Sequence, residues 1–445
     1  MMTALHQEPI IAVGLIEDVP DVSFELQGEF RLENLVLNSG SYRACAAGDH
    51  LSLLSSAGHE VFTSPALHII PAAPQTACFT LHEVKIGKQF HWERSVSQMF
   101  KGELEIILTS SGQLTSINKI LLEEYLASVI ASEMSPESPE EFLKAHCISS
   151  RSWLLHQLKH KNADDQAGRK ADYRASEIIS WTGRAAHNDF DVCADDHCQR
   201  YQGVGRTNAA AVKAVQETYG EVLVYNGEIC DARYAKCCGG ITEAFAAAWE
   251  DIAIPFLQST ADSGEPLAPV VSEQDAQQFI LSRPAAYCNI EDKKIIRRIL
   301  PDFDCETKDF FRWQVDIAQE ELRNLLLLKT GIDFGEITRI IPLARGPSGR
   351  LFKIKICGTR EEKVIGKELE IRRILSPTHL LSSAFVVKPY GAAAGIPKGF
   401  TISGAGWGHG VGLCQIGAAG MAEQGKTCKE IISHYFKGAQ LIALY

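Results

Sequence analysis

A single acidic residue, Glu133, ends an otherwise apolar helical segment and has the placement of a proton donor. Tyr125, Val129 and Glu133 recur every four residues, so they share one face of the predicted helix. Burial disfavours the charged form of a carboxyl group, and the negative end of the helix macrodipole acts in the same direction. Both effects are expected to raise the pKa of Glu133, as a general acid near neutral pH requires. The alternative is a helix-end glutamate turned toward solvent.

A second group of chemically capable residues combines two histidines with two cysteines, namely His187, Cys193, His197 and Cys198. Zinc prefers such a set of nitrogen and sulfur ligands in tetrahedral geometry. Four protein ligands would make the site structural, because no position remains at which water could be activated. The spacing is not that of a standard zinc finger, and loop residues without a metal are the alternative.

Glycine occupies every second position of residues 404–412, with His409 among them. This segment follows a predicted strand and precedes a predicted helix, but it matches neither the dinucleotide fingerprint nor the phosphate loop. Alternating glycine is typical of backbone that lies close to a ligand or to another strand. A structural bulge loop is the alternative. Cys238 could also be a thiol nucleophile with His409 as its base, although no third orienting residue is evident.

The composition is that of an ordinary globular protein, with 45% apolar and 22% charged residues in 445 positions. The net charge is 44 − 55 = −11 without any run of basic residues, which argues against nucleic-acid binding. No apolar run approaches the roughly 20 residues of a transmembrane helix. The first residues lack the basic and apolar regions of a signal peptide. Of the thirteen cysteines, three lie in residues 230–238, two are Cys193 and Cys198, and the rest are scattered, which indicates reduced thiols and a reducing compartment rather than a disulfide framework.

Secondary-structure patterns predict β-rich and helical segments. Strands are expected within residues 10–16, 23–32, 77–84 and 104–109, where alternation outweighs helical periodicity. A helical pair is predicted at 119–134 and 139–159, the second opening with a capping box from Ser138 to Glu141 and with Pro139 at its first position. The chain is therefore expected to be an α+β protein with a β-rich N-terminal part.

Three segments resemble the SpoIID/LytB family, which comprises sporulation lytic transglycosylases and amidase enhancers that act on bacterial peptidoglycan. The first joins residues 125–134 to residues 143–153 and is similar to the family's Glu-Met-Pro segment and the helix after it. The second comprises residues 190–203, 218–225 and 238–242, and the third is the glycine-rich block at 406–418 together with 434–438. Ser135 replaces the family's proline, and Cys414 stands where serine is common.

The resemblance implies a mixed α/β core with a helical catalytic segment and a glycine-rich loop. Four regions are expected: a β-rich region at 1–117, the first half of the core at 118–262, an insertion or satellite lobe at 263–330, and the second half of the core at 331–445. The implied activity is cleavage of glycan strands, with Glu133 as the catalytic acid. Some family members hold a structural zinc ion through two histidines and two cysteines, which here match His187, Cys193, His197 and Cys198.

One carboxyl group is sufficient for a lytic transglycosylase, unlike the two-carboxylate arrangement of most glycosidases. We expect the glycine-rich loop to form the opposite wall of a glycan groove, with His409 and Gln415 binding sugar or orienting Glu133. Arg151 would pair with a carboxylate of the protein or of the muramyl lactyl group, and a helix-surface ion pair is the alternative. Gly408, Gly410 and Thr242 complete the predicted substrate-binding set.

The main alternative is a non-catalytic enhancer that binds and stimulates a cell-wall amidase. Localisation is left open, because the family implies the cell envelope whereas the cysteines indicate a reducing compartment.

Overall fold

A computed structural model describes residues 7–88, 93–160, 170–173, 176–181, 187–268, 270–391 and 395–445. These residues contain both β-sheets and α-helices, and the predicted α+β class is confirmed. They divide into two compact units, and elements are numbered in chain order in both. The β-rich unit contains residues 7–136, 187–220 and 443–445, and the mixed unit contains residues 137–181 and 221–442. The four-region division of the sequence stays a prediction.

The β-rich unit is built on two sheets whose strands alternate inward and outward side chains. Val22, Phe24 and Leu26 of one strand are buried, as the two-residue period of a half-buried strand requires. The strands are β1 Ile10–Val19, β2 Asp21–Gln27, β3 Phe30–Leu32, β4 Leu35–Leu37, β5 Gly40–Ala47, β6 His50–Ser55, β7 Glu60–Ser64, β8 Ala66–Pro71, β9 Cys78–Ile86, β10 Arg94–Phe100, β11 Glu103–Leu108, β12 Leu114–Leu121 and β15 Val192–Cys193. One sheet has the order β15-β1-β12-β11-β8-β3-β4, and the other β10-β9-β2-β5-β6-β7.

Helices α1 (Leu122–Glu133) and α3 (Ala209–Glu217) pack together in the β-rich unit. The predicted start of the first helix at residue 119 is wrong. Residues 119–121 continue strand β12 and pair with residues 10–12 of β1, so ladder hydrogen bonds hold them extended.

The mixed unit combines the remaining helices with four smaller sheets. Its helices are α2 Glu140–Lys159, α4 Phe245–Ala248, α5 Glu273–Leu281, α6 Lys293–Ile299, α7 Gln319–Thr330, α8 Glu368–Ile374, α9 Gln415–Glu423 and α10 Cys428–Tyr435. Its strands are β13 Lys170–Tyr173, β14 Glu177–Trp181, β16 Glu221–Tyr225, β17 Glu228–Ile229, β18 Tyr234–Ala235, β19 Arg312–Ala318, β20 Ile337–Arg345, β21 Leu351–Gly358, β22 Glu362–Gly366, β23 Phe385–Tyr390, β24 Gly399–Ala405, β25 Leu413–Cys414 and β26 Gln440–Ala443. The sheet orders are β13-β14-β22-β21-β20, β19-β24-β23, β17-β16-β26 and β18-β25.

The N-terminus of α2 differs from the predicted capping box. Pro139 is the N-cap residue, and no side chain caps the helix. Ser138 Oγ donates instead to the Ile299 carbonyl at 3.4 Å, and Glu141 Oε2 accepts the Cys428 N–H at 2.7 Å. Both groups of the motif are therefore used in tertiary contacts.

The cysteines match the prediction of reduced thiols. All thirteen lie in the described residues, and each is free. Among the helices that the structure describes, none is long and apolar enough to cross a membrane.

Candidate functional site

Glu133 is the last residue of α1, and its side chain is only 7% exposed. Its Oε1 accepts the backbone N–H of Arg200 at 3.0 Å. The expected burial is confirmed, and the alternative of a solvent-facing glutamate is wrong. A backbone donor has no rotamer freedom, so this contact fixes the orientation of the carboxyl group.

Residues 199–203 lie along the face of α1 that ends in Glu133. Besides the Arg200–Glu133 contact, three hydrogen bonds join them: Tyr125 Oη to Gln199 Oε1 at 3.1 Å, Ser128 Oγ to the Gly203 carbonyl at 2.6 Å, and the Gln202 N–H to Ser132 Oγ at 3.2 Å. Tyr125, Ser128 and Ser132 are spaced at three and four positions and share one helix face, and Glu133 follows Ser132 directly at the end of the helix. The predicted functional face is therefore covered by a specific, hydrogen-bonded segment.

The aromatic ring of Tyr201 anchors the middle of that segment. It is fully buried and stacks on Tyr125 with ring centroids 5.0 Å apart. Its hydroxyl donates to Asn118 Oδ1 at 2.6 Å, so the buried polar group is satisfied. This contact ties residues 199–203 to strand β12 as well as to α1.

A charged pair next to Glu133 was not predicted from the sequence. Arg200 is buried, and its Nε donates to Asp196 Oδ1 at 2.5 Å. Burial raises the pKa of Asp196 to about 7, while the positive charge of Arg200 opposes that rise. The only signal in the sequence was an acid and a base four residues apart, a spacing common on exposed surfaces.

The predicted metal set converges in the β-rich unit. All four ligand atoms lie within 4.8 Å of one another. The separations are 3.3 Å for His187 Nε2 to His197 Nδ1, 3.5 Å for Cys198 Sγ to His187 Nε2, 3.4 Å for Cys198 Sγ to His197 Nδ1, and 4.0 Å for Cys193 Sγ to His197 Nδ1. Bonds of about 2.0 Å to nitrogen and about 2.3 Å to sulfur give tetrahedral edges of about 3.3–3.8 Å. Three of the four separations lie in this range and the one between Cys193 and His197 is slightly longer, so the donor set suits one tetrahedral zinc ion.

Neighbouring contacts hold this metal-binding loop in place. Cys193 lies in β15, which pairs in parallel with β1, and Asp195 accepts the backbone N–H groups of Gly87 and Lys88 at 2.9 and 2.8 Å. Hydrogen bonds from Cys198 and the two histidines lower the pKa of Cys193. Since Arg200 follows Cys198 by two residues, the loop leads directly into the segment that contacts Glu133.

The glycine-rich loop of the mixed unit packs against a fully buried arginine. Arg350 donates from Nε to the Gly408 carbonyl at 3.1 Å and from Nη1 to the Cys238 carbonyl at 3.0 Å. Gly410 has φ +75°, and a Cβ there would lie 2.4 Å from Arg350 Cζ. The close approach expected from alternating glycine is therefore made, at this position, to a side chain of the protein itself.

His409 is held as a neutral imidazole. Its Nδ1 accepts the Val411 N–H at 3.0 Å, and its ring packs edge-on against Trp249. Burial lowers the pKa of His409 well below its usual value, and Arg233, Arg350 and Arg372 lower it further. The ring can thus accept or donate a hydrogen bond near neutral pH, but it is unsuited to carry a charge.

The remaining predicted substrate-binding residues also lie in the mixed unit. Gln415 is buried at the start of α9, with its Nε2 3.2 Å from His146 Nε2. Arg151 is fully buried and donates to the Glu221 carbonyl at 2.9 Å, so the alternative of a helix-surface ion pair is wrong. Thr242 Oγ1 accepts the Thr260 N–H at 2.8 Å. Glu133 and the metal set belong to the β-rich unit, and the substrate-binding roles stay predictions.

The thiol-nucleophile alternative has little support. Cys238 is 1% exposed, and burial raises the pKa of its thiol well above the usual value. A buried, protonated thiol is a poor nucleophile.

Comparison with known proteins identifies the matching regions. Residues 110–225 match the family model described as Stage II sporulation protein (SpoIID), and residues 243–412 match a domain of unknown function (DUF8618). An uncharacterized protein of Brachyspira hyodysenteriae (strain ATCC 49526 / WA1) is 26% identical over 326 residues, which are 73% of this chain and 68% of that protein. Stage II sporulation protein D of Bacillus amyloliquefaciens is 26% identical over 326 residues, which are 73% of this chain and 75% of that protein.

The Amidase enhancer of Bacillus subtilis (strain 168) is 25% identical over 246 residues, which are 53% of this chain and 33% of that protein. Together these matches confirm the resemblance to the SpoIID/LytB family that the sequence motifs indicate. They fit a function related to the cell wall.

Proposed function

We propose that this protein is a peptidoglycan lytic transglycosylase that cleaves glycan strands between MurNAc and GlcNAc with Glu133 as its single acid and base. The observation that carries the proposal is the buried Glu133 carboxyl with Oε1 fixed by the Arg200 amide. It lies inside the segment that matches the SpoIID family. A carboxyl group fixed by a backbone donor can be aligned with one bond of the substrate.

The chemistry needs one proton to leave Glu133 and one to return. With Oε1 accepting the Arg200 N–H, Oε2 carries the proton and donates it to the glycosidic oxygen. The bond between MurNAc C1 and that oxygen breaks, and GlcNAc leaves with a C4 hydroxyl. The C6 hydroxyl of MurNAc then bonds to C1 and returns its proton to Glu133, which gives the 1,6-anhydro end. The Arg200 N–H stabilises the carboxylate that exists between the two proton transfers.

Zinc, held by His187, Cys193, His197 and Cys198, would have a structural role in this proposal. Closed four-ligand sites stabilise a fold and leave no position for activated water. Residues 187–198 continue directly into residues 199–203. The zinc ion would therefore help to position the Arg200 N–H that donates to Glu133.

Glu133→Gln tests the acid and base directly, since glutamine keeps the shape and lacks the transferable proton. We expect wild-type protein to release anhydro-muramyl products from peptide-free glycan strands, detected by mass spectrometry, and Glu133→Gln to lose about 10²–10⁴-fold in rate. Glu123→Gln is a matched control, because Glu123 lies on the same helix, is also 7% exposed, and accepts the Gly220 N–H. Equal activity of wild type and Glu133→Gln would show that Glu133 is not the catalytic acid and base.

A second candidate function is stimulation of a cell-wall amidase, and the similarity to the Amidase enhancer supports it. An amidase would then be the protein partner, and peptidoglycan the common ligand. If wild type releases no anhydro products and both wild type and Glu133→Gln stimulate an amidase, this function replaces the proposed one.

A further inference from the structure

Three cysteines and one aspartate converge in the mixed unit, and none of them belongs to the metal set already described. They are Cys238, Asp262, Cys288 and Cys414, and each is at most 1% exposed. The first follows β18, the second follows α4, the third lies between α5 and α6, and the fourth precedes α9. One ligand atom from each residue lies within 4.8 Å of the others. Four distant parts of the chain thus bring metal-binding atoms to one point.

We propose that these four residues bind a second metal ion, with zinc as the ion that the donors favour. Thiolates are soft ligands, and zinc also accepts a carboxylate oxygen in a tetrahedral site. This inference is independent of glycan cleavage and concerns the mixed unit alone.

The distance between the sulfur atoms distinguishes two ligands of one metal ion from a disulfide bond. Cys238 Sγ and Cys288 Sγ are 3.7 Å apart. Two thiolates on one tetrahedral zinc ion lie about 3.8 Å apart, given bonds of about 2.3 Å. A disulfide requires about 2.05 Å between the sulfurs. The spacing agrees with two ligands of the same ion.

Backbone N–H groups surround the sulfur atoms. Cys414 Sγ accepts the N–H of Cys238 at 3.1 Å and that of Gly417 at 3.4 Å, and Cys238 Sγ accepts the N–H of Gly240 at 3.4 Å. Such donors stabilise negative sulfur, and partners outside the first coordination shell orient metal ligands. The Cys414 thiol therefore has donors suited to a thiolate ligand.

The carboxyl group of Asp262 is oriented from both sides. Oδ2 accepts the Cys288 N–H at 3.0 Å, and Oδ1 accepts the Tyr435 hydroxyl at 2.5 Å. A Cβ at Gly417 would lie 2.4 Å from Asp262 Oδ1, so the glycine in α9 makes room for the carboxyl group. The aspartate is thus positioned by three separate elements rather than left as an isolated buried acid.

A metal ion would also balance the charge of its ligands at this position. Thiols that bind zinc lose their protons, and the three thiolates and one carboxylate that result would be unfavourable in this buried position without the charge of the ion. Arg312 donates to the Gly239 carbonyl at 2.9 Å and Arg350 to the Cys238 carbonyl at 3.0 Å, so two guanidinium groups border the cluster. A divalent ion would supply most of the remaining compensation. Cys237 also interacts with Cys288 and Cys414, which brings a further thiol within reach.

The test counts zinc ions per chain in full-length protein purified under reducing conditions, loaded with zinc and desalted. We expect the Cys238→Ser/Cys288→Ser variant to hold one zinc ion fewer per chain than wild type by native mass spectrometry and elemental analysis. Cys357→Ser is the matched control, because Cys357 is buried in β21 of the same unit and should leave the count unchanged. Circular dichroism establishes that each variant is folded.

A second experiment leaves the residues of the proposed site unchanged. The Cys193→Ser/Cys198→Ser variant removes two ligands of the first metal set, and it should still take up one ion per chain, giving the visible absorption of tetrahedral cobalt thiolate when cobalt(II) is the probe. The proposal is overturned if this variant binds no metal. It is also overturned if folded Cys238→Ser/Cys288→Ser protein keeps the wild-type count, or if peptide mapping finds a Cys238–Cys288 disulfide in the wild type. Because no outcome involves glycan, failure here is distinguishable from failure of the proposed function.

Discussion

Gly408 and Gly410 differ in what a methyl group would meet, although both have positive φ. A Cβ at Gly408 (φ +90°) would lie 3.4 Å from the Cβ of Ala235, an ordinary contact, whereas one at Gly410 would lie 2.4 Å from Arg350 Cζ. The first substitution therefore costs mainly backbone strain, about 1–2 kcal/mol. The second adds displacement of a buried arginine that holds the loop.

We predict that Gly410→Ala destabilises the protein more than Gly408→Ala does, with a difference of about 1–3 kcal/mol from overpacking. Urea unfolding curves of the two variants measure that difference. Equal destabilisation would mean that Arg350 moves aside without cost, and the packing explanation of the alternating glycines would then fail.

At the scale of elements, helix α1 and residues 187–203 are linked by direct contacts. The metal-binding loop leads into the segment whose Arg200 N–H contacts Glu133, and Tyr201 anchors that segment beneath α1. Loss of the metal should therefore loosen a contact to the proposed catalytic residue without altering that residue.

We predict that Cys193→Ser/Cys198→Ser raises amide hydrogen exchange in residues 199–203 and lowers glycan cleavage about tenfold, because one hydrogen bond to a charged group contributes about 1.5–3 kcal/mol. Exchange mass spectrometry measures the first effect, and the anhydro-product assay measures the second. The Cys357→Ser variant is the control, since its site lies in the mixed unit. If amide exchange in residues 199–203 is unchanged after zinc loss, the metal-binding loop does not hold the segment that contacts Glu133.

Sequence periodicity predicted the second helix of the pair well but missed features that depend on distant contacts. The helix predicted at 139–159 is present as α2, Glu140–Lys159. In contrast, residues 119–121 follow a helical pattern and still form strand because β1 pairs with them. Strands β5 to β8 lie outside the segments for which strands were predicted. The second metal cluster was equally invisible, since its residues are separated by 24 or more positions and become neighbours only in the fold.

At the scale of the molecule, both compact units are discontinuous in sequence. The β-rich unit needs residues 187–220 in addition to residues 7–136, because β15 and the segment along α1 come from that later part. The four regions predicted from the sequence are contiguous, so they describe the order of motifs along the chain rather than these units. A fragment ending near residue 136 would lack the partners of Tyr125, Ser128 and Ser132.

The pH dependence of stability follows from His409, which the mixed unit holds neutral. Its folded-state pKa is lowered by burial and by Arg233, Arg350 and Arg372, while the unfolded value is about 6.5. Below about pH 6.5 the unfolded chain binds a proton that the folded chain does not, so the free energy of unfolding decreases as pH falls. The stabilisation is complete above that pH, and its loss is at most about 1.4 kcal/mol per pH unit for one proton.

We therefore predict that wild type loses more stability than His409→Asn between about pH 7 and about pH 5. Asparagine can still accept the Val411 N–H from the position of Nδ1 but does not titrate, so carboxylate effects cancel in the comparison. Urea unfolding followed by tryptophan fluorescence reports on the right part of the chain, because the described tryptophans all lie in the mixed unit: Trp153, Trp181, Trp249, Trp313 and Trp407. Equal losses in the two proteins would show that the folded chain accepts a proton on His409, and the arginine-flanked imidazole would then be charged in the folded state.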